Sequence, residues 1–376
     1  MATLLLRLLQ LLVLKLLLQH SGVAQAEPSA AELAKIDALL RASTGSLADA
    51  YSNSSGSVVD VESLRIPSVF VMGSQKGGSS SLYELLIRHP ALCGAIYKEP
   101  NFFLTNVRDG HDLRWYLSLF IDQKCLKKPR KLFVDGSCML HGLDAALTAL
   151  NATYGSSERL KSSLRFIALL REPVARDYSW FRHRARGHLN RGAAFTSTKT
   201  FGECFRGRSN ESAFDPLNSP HCHVRGDYLR QLQVFTRFFR RDQVLVLNSN
   251  LLFSNSPLLM PAVAQFLGVK LSTLWTPPFP RFDHIDQHIK SPACVLRAVP
   301  ELDCATRDQL AAFYRPKNMA LEEWINRTQA QGLAPRAEPP FASFGDQHLD
   351  LPCVPDARAA LDKVVANSKR TSCAAV

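Results

Sequence analysis

The 376-residue chain has no C-x-x-C pair among its nine cysteines, no internal repeat and no uninterrupted apolar run long enough to cross a bilayer. The first absence excludes zinc-ribbon and thioredoxin-like sites. The last bears on the amino terminus, "MATLLLRLLQLLVLKLLLQH". Leu4 to Leu18 is mostly leucine, yet it is interrupted by Arg7, Gln10 and Lys15 and falls short of the about 20 apolar residues of a spanning helix. Ala24-Gln25-Ala26 then offers a small-x-small cleavage pattern. Residues 1–26 therefore read as a signal peptide, with an uncleaved signal anchor as the alternative. Serine and arginine are too sparse for a mitochondrial or plastid presequence. Either favoured reading sends the chain into the secretory pathway, to the Golgi lumen or outside the cell.

Negative charge is also in short supply. Asp and Glu number 33 against 45 Lys and Arg, a net charge of +12. Such a surface favours polyanions, anionic membranes or anionic cofactors without choosing among them. An apolar content of 46% excludes general disorder. Nine cysteines suit an oxidising compartment, and the odd count leaves at least one unpaired within the chain. Cys294 with Cys304, and Cys204 with Cys222, are close enough to close short loops, although connectivity does not follow from spacing. Asn53, Asn151, Asn210 and Asn326 head glycosylation acceptor triplets.

Residues 27–66, rich in Ala, Ser and Gly, read as a stem or linker. From Pro67 short apolar runs alternate with helical patterns. Strands are expected at 68–72, 131–134, 164–170 and 244–247. Helices are expected at 80–89, 174–186, 228–239 and 258–267, and over 303–325 with a break near Pro316. Alternation of this kind predicts an α/β domain over 67–328 with a mostly parallel sheet. Residues 329–376 turn Pro- and Ala-rich and read as an accessory C-terminal tail, with a weak helix near 357–366.

The segment "VFVMGSQKGGSSSLYELL" has the strand–glycine turn–helix form that binds phosphate. Its Gly73 and Gly78 match the spacing of the triphosphate motif G-x-x-x-x-G-K-S/T, but Ser79 stands where that motif has lysine. The lysine is Lys76, inside the turn. No apolar strand ends in a convincing metal-binding acid, Val134-Asp135 being the nearest. A metal–triphosphate complex is thus a poor match, and no metal is required. A sulfuryl group in flight carries less charge than a phosphoryl group, and a lysine with helix amides suffices for it.

Further blocks come in order: Lys98-Glu99-Pro100-Asn101-Phe102-Phe103, then "RFIALLREPVARDYSWFRH", "GDYLRQLQVF", "VLVLNSNLLF" and "FYRPKNMALEEW". This ordered set, from about Pro67 to Ile325, resembles the Golgi carbohydrate sulfotransferases, especially the heparan sulfate enzymes. The resemblance implies a P-loop-like three-layer sandwich, with a central mostly parallel sheet and helices on both faces. It also implies 3′-phosphoadenosine 5′-phosphosulfate (PAPS) as sulfuryl donor. Lys76 would then hold the 5′-phosphate and the bridging oxygen, with Gly77, Gly78, Ser79 and Ser80 beside it. Arg171 and Ser179 match the 3′-phosphate pair, and Glu99 falls at the position of the catalytic base. "VDGSCMLHG" resembles the acceptor segment D-x-S-P-S-Y-L, which makes Lys98, Asp135 and Ser137 candidate substrate contacts. Cys138, Met139 and Leu140 depart from that pattern. The late lysine-glycine-arginine loop of the heparan sulfate enzymes has no counterpart near Cys294 and Cys304; Lys290 and Arg297 are its nearest substitutes.

The acceptor implied is a carbohydrate, an acidic polysaccharide being one candidate, rather than nucleic acid. The basic cluster Arg182, His183, Arg184, Arg186 and His188 reads either as a solvated face or as the path of such an acceptor. Trp180, Phe181, Phe102 and Phe103 read as core. Rival readings are a protein-tyrosine sulfotransferase, a secreted polyanion-binding protein that kept the fold without chemistry, and a kinase needing Mg²⁺ and ATP.

Overall fold

The computed structural model describes residues 66–106, 113–120, 132–155, 157–189, 200–205, 225–279, 301–332, 341 and 344–368. The expected signal segment, almost all of the stem, Asn53, Asn210, Cys222 and Cys294 lie outside them. Five strands form one parallel sheet: β1 (Val69–Gly73), β2 (Leu92–Gly94), β3 (Leu132–Asp135), β4 (Arg165–Leu170) and β5 (Val244–Asn248), in the order β2-β3-β1-β4-β5. Helices α1 (Ser79–Arg88), α2 (Leu113–Ser118), α3 (Leu143–Tyr154), α4 (Glu158–Ser163) and α5 (Pro173–Leu189) alternate with the first four strands. After them come α6 (Tyr228–Phe235), α7 (Asn250–Phe253), α8 (Leu259–Leu267), α9 (Cys304–Ala330) and α10 (Ala357–Ser368).

The central strands are continuous apolar runs because both faces of the sheet are covered. Val69, Val71, Ile167, Leu169, Leu245 and Leu247 pack with Leu82, Leu86, Val263 and Leu267 of α1 and α8. Their strand neighbours Phe70, Met72, Phe166, Ala168, Val244 and Val246 point the other way, against Leu147, Leu232, Phe235 and Leu321 of α3, α6 and α9. Strand side chains alternate between faces, so each strand feeds two cores at once. The sheet and its two helical layers are the sandwich expected. The chain crosses from one side of β1 to the other between β3 and β4. That reversal opens a crevice at the carboxyl ends of the strands.

Four features go beyond or against the sequence reading. β2 is an unanticipated edge strand of three residues, too short to carry a pattern. The helix after Asp227 stops at Phe235, with turns continuing to Phe238. α9 runs unbroken through Pro316, because Leu310, Tyr314, Leu321 and Ile325 are buried on both sides of the missing N–H. Cys304 pairs with Cys353, not Cys294, across 49 residues of sequence and a Cα separation of 5.1 Å. The pairing is dictated by the backbone: Cys304 N–H donates to Val354 O (3.0 Å) and Val354 N–H to Leu302 O (2.8 Å). Cys93 and Cys204 are also disulfide-bonded.

The segment after residue 328 is built into the main core. Phe341 and Phe344 are buried among the residues that cover Phe70 and Phe166, and Arg358 pairs with Glu203 at 2.5 Å. Phe344→Ala should therefore destabilise the domain by about 3–5 kcal/mol, read from denaturant unfolding. An unchanged unfolding midpoint would show the tail to be dispensable.

Candidate active site

The glycine turn is fastened to the neighbouring strand before it is anything else. Ser74 donates to Leu169 O through both its N–H (2.7 Å) and its hydroxyl (3.1 Å). Gly77 N–H closes the turn on Ser74 O at 2.9 Å. A Cβ on Gly77 would lie 2.3 Å from Ser74 Oγ and 2.7 Å from Leu169 O, so no side chain fits. Gly78 has φ 97°, and Lys76 itself has φ 66°, in the left-handed region that costs a side-chain-bearing residue roughly 1 kcal/mol or more. The amides of Ser74 and Gly77 are thus used to hold the turn itself, and the helix that follows supplies the donors. α1 begins at Ser79, and its cap residue Gly78 supplies no side-chain hydrogen bond to the first turn. Those amides carry the positive end of a ten-residue helix.

Arg171 comes directly after β4. Its Nη1 donates to the carbonyl of Lys76 at 3.1 Å, and its guanidinium lies 5.5 Å from the ring centre of Phe253. Tyr228 holds the Arg171 carbonyl at 2.8 Å. The two expected cationic residues therefore meet at the same edge of the sheet. Ser179 is half-buried on α5, about two turns past its first residue.

Glu172 caps that helix, accepting from the N–H groups of Val174 (3.0 Å) and Ala175 (2.6 Å). Burial pushes its carboxyl up to about 7, against the opposing pull of those two amides.

Glu99 is delivered by hydrophobic anchors. Pro100, Phe102 and Phe103 are buried, and Phe102 stacks on Tyr116 with ring centres 4.6 Å apart. The carboxylate is 44% exposed and pairs with Lys98. Burial disfavours the Lys98 ammonium, but Cys138, Glu99 and Asp135 outweigh it and hold its pKa above the usual lysine value. Cys138 Sγ lies 3.7 Å from Glu99 Oε1 and 3.1 Å from Ser79 Oγ. Through it Glu99 is connected to the start of α1.

Asp135 and Ser137 do not face a cleft. Asp135 is fully buried, and its two oxygens accept from Tyr116 OH (2.6 Å) and Ser137 N–H (2.7 Å). Ser137 Oγ in turn accepts from Asn101 N–H at 2.8 Å. The candidate acceptor contacts here are instead a buried scaffold that fixes the Glu99 segment. The carboxyl of Asp135 is raised above the usual range by that burial, with Ser137 and Tyr116 opposing.

Arg225 escapes the sequence reading, because the "GDYL" block begins only at Gly226. Its Nη1 donates to Gln75 Oε1 at 2.5 Å, and its guanidinium lies 5.1 Å from the ring centre of Trp180. Burial lowers it to about 10, with Arg176 adding to the effect. The nearest sequence signal is Gly226, which is pressed so close to α5 that a Cβ would lie 2.5 Å from Pro173 Cβ. Arg182 lies over Tyr178 at 5.6 Å, and His183 and Arg184 are exposed. The side chains of Arg186 and His188 lie outside the described residues. Phe102, Phe103 and Phe181 are buried as expected, whereas Trp180 is half-exposed. Among the described residues no three of His, Cys, Asp and Glu are grouped to hold a metal ion.

A parallel sheet with a strand–glycine turn–helix and basic groups at adjacent strand ends defines an anion-binding α/β protein of the P-loop-like class. Residues 67–291 match the sulfotransferase domain family, and the chain belongs to that family. It is 25% identical over 286 residues to the human bifunctional heparan sulfate N-deacetylase/N-sulfotransferase 2, covering 70% of this chain and 30% of that protein. Against the mouse bifunctional heparan sulfate N-deacetylase/N-sulfotransferase 4 the identity is 24% over 291 residues, with the same coverage. The chain thus spans about 30% of the length of these relatives. A sulfotransferase of Alicyclobacillus acidocaldarius aligns over 70% of this chain and 97% of its own, with 21% identity and a TM-score of 0.46.

The raised carboxyl of Glu172 has a defined sign. Ionising it opposes folding, so its contribution to stability is full below about 4.5, falls as pH rises to about 7, and is constant above. Relative to wild type, Glu172→Gln should gain roughly 3 kcal/mol across that window, measured by unfolding at a series of pH values. A difference that does not change with pH would contradict the assignment.

Proposed function

We propose that this protein transfers a sulfuryl group from PAPS to a hydroxyl or amino group of a carbohydrate in the lumen of the secretory pathway. The observation that carries the reading is the contact between Arg171 and the Lys76 carbonyl. It sets two cations on adjacent strand ends beside an uncapped helix amino terminus.

The residues present fit the donor. The turn leaves no space for a side chain at Gly77, and the amides at the start of α1, which receive no side-chain cap from Gly78, suit a compact anion. Lys76, with the Gly77, Gly78, Ser79 and Ser80 segment, would hold the 5′-phosphosulfate end. Arg171 and Ser179 would hold the 3′-phosphate, where a planar guanidinium can donate twice. When bound, the donor supplies an electrophilic sulfur with a phosphate leaving group. Glu99, exposed and paired with Lys98, would take the proton from the acceptor as it attacks. Lys76 and the helix amides would balance negative charge on the departing side.

A carbohydrate acceptor is supported by the heparan sulfate enzymes among the relatives. An oxidising lumen is supported by the bond between Cys304 and Cys353.

Incubation with radiolabelled PAPS and a panel of polysaccharides and tyrosine peptides should place label in a polysaccharide. Label only in the peptides would make the protein a tyrosine sulfotransferase. No label, with 3′,5′-ADP still bound, would leave a binding protein on this fold. Within an active enzyme, Glu99→Gln should slow turnover at least about 100-fold while keeping 3′,5′-ADP affinity. Lys76→Ala should lose both turnover and affinity, as read by stopped assays and calorimetry. Full activity in either variant would remove that residue from the site.

A further inference from the structure

Cys138 is the free cysteine among the described residues, and it is buried. It lies three residues beyond Asp135, the last residue of β3. Its sulfur touches groups from two other segments: Ser79 Oγ at the start of α1 (3.1 Å) and Glu99 Oε1 beyond β2 (3.7 Å). The directions of these bonds follow from the groups involved. The thiol hydrogen points to Glu99 Oε1, which accepts it. The thiol has one hydrogen, so its sulfur must accept from the Ser79 hydroxyl. Burial pushes the thiol up to about 11, with Glu99 adding to the shift and Lys98 and Ser79 opposing it. The donor proton is therefore present at neutral pH.

We propose that Cys138 is a positioning residue that ties Glu99 to the first turn of α1, through a thiol bond to the carboxylate and a hydroxyl bond from Ser79. The proposal rests on the reading of Glu99 as the base. Lys98 and Cys138 both address Oε1 of Glu99. The backbone on each side is held as well, since Ser137 Oγ receives Asn101 N–H and Asp135 receives Ser137 N–H. The spacing between the anion turn and the base is thus set by the three-residue chain Ser79, Cys138, Glu99. One corollary concerns Ser79: its hydroxyl hydrogen is engaged by sulfur, so its backbone N–H is what it offers an anion.

The titratable groups around Glu99 include Lys98 on its own segment, Cys138 beyond β3 and Asp135 at the end of β3. Lys98 remains in each Cys138 variant, so a change can be assigned to the thiol. A hydrogen bond to the charged form favours that form. Removing the thiol should therefore raise the pKa of Glu99 and move the acid limb of the kcat profile to higher pH.

Two measurements test this. The first needs no activity: the infrared S–H stretching band of Cys138, identified by its loss in Cys138→Ala, should move to higher frequency in Glu99→Gln. A neutral amide is a weaker acceptor than a carboxylate. The second is kinetic. Cys138→Ala should lower kcat roughly 10- to 100-fold, the scale of a misplaced catalytic group, with its acid limb displaced and 3′,5′-ADP affinity unchanged. Cys138→Ser, which keeps a donor, should restore the wild-type limb. An S–H band unmoved in Glu99→Gln, or a Cys138→Ala profile identical to wild type, would overturn the proposal. Wild-type protein that transfers no sulfuryl group would sink the reading of Glu99, and with it this proposal, even if the band moved.

Discussion

The hydrogen bond from Arg171 to the Lys76 carbonyl joins the two halves of the site. β1 and β4 are neighbours in the sheet, so their carboxyl ends lie side by side. The segments leaving those ends differ in kind: a glycine turn into α1 after β1, and a basic residue before a capped helix after β4. The guanidinium closes the gap between them by holding the turn from outside, while Ser74 holds it from below through Leu169. A left-handed Lys76 is strained alone. These contacts over-determine it, as backbone strain at a binding site requires.

The framework is legible in the sequence because its signals are local. Continuous apolar runs such as "FIALL" specify strands covered on both faces, and Gly73, Gly77 and Gly78 leave few alternatives to a tight anion turn. The candidate clamp residues stand out by their position relative to strand ends, which the sheet then brings together. The features that the sequence hides share a different cause, since they turn on contacts distant along the chain. Asp135 has the look of a cleft residue because it ends a strand, yet Tyr116 covers it. Cys304 has a near neighbour in Cys294, yet the backbone pairing of residue 303 with residue 354 decides its partner. Arg225 carries no pattern of its own; only its packing against Trp180 and Gln75 reveals it.

Burial divides labour among the acidic residues. Glu172 and Asp135 are out of water, and each is held by donors that organise backbone: two amides of α5 for one, a tyrosine and the turn beyond β3 for the other. Glu99 stands among the exposed residues, paired with Lys98. Glu99 thus stays open to solvent, while the enclosed carboxylates shape the chain around it.

The burial of Phe341 and Phe344 in the same core as the strand residues Phe70 and Phe166 has a consequence for biosynthesis. Those strands emerge from the ribosome long before the aromatic residues that cover them. α3 and α6 can cover that face of the sheet first, and the last aromatic pair closes it only after α9 has been made. Completion of this layer is a late event, as is the oxidation that joins residues 304 and 353.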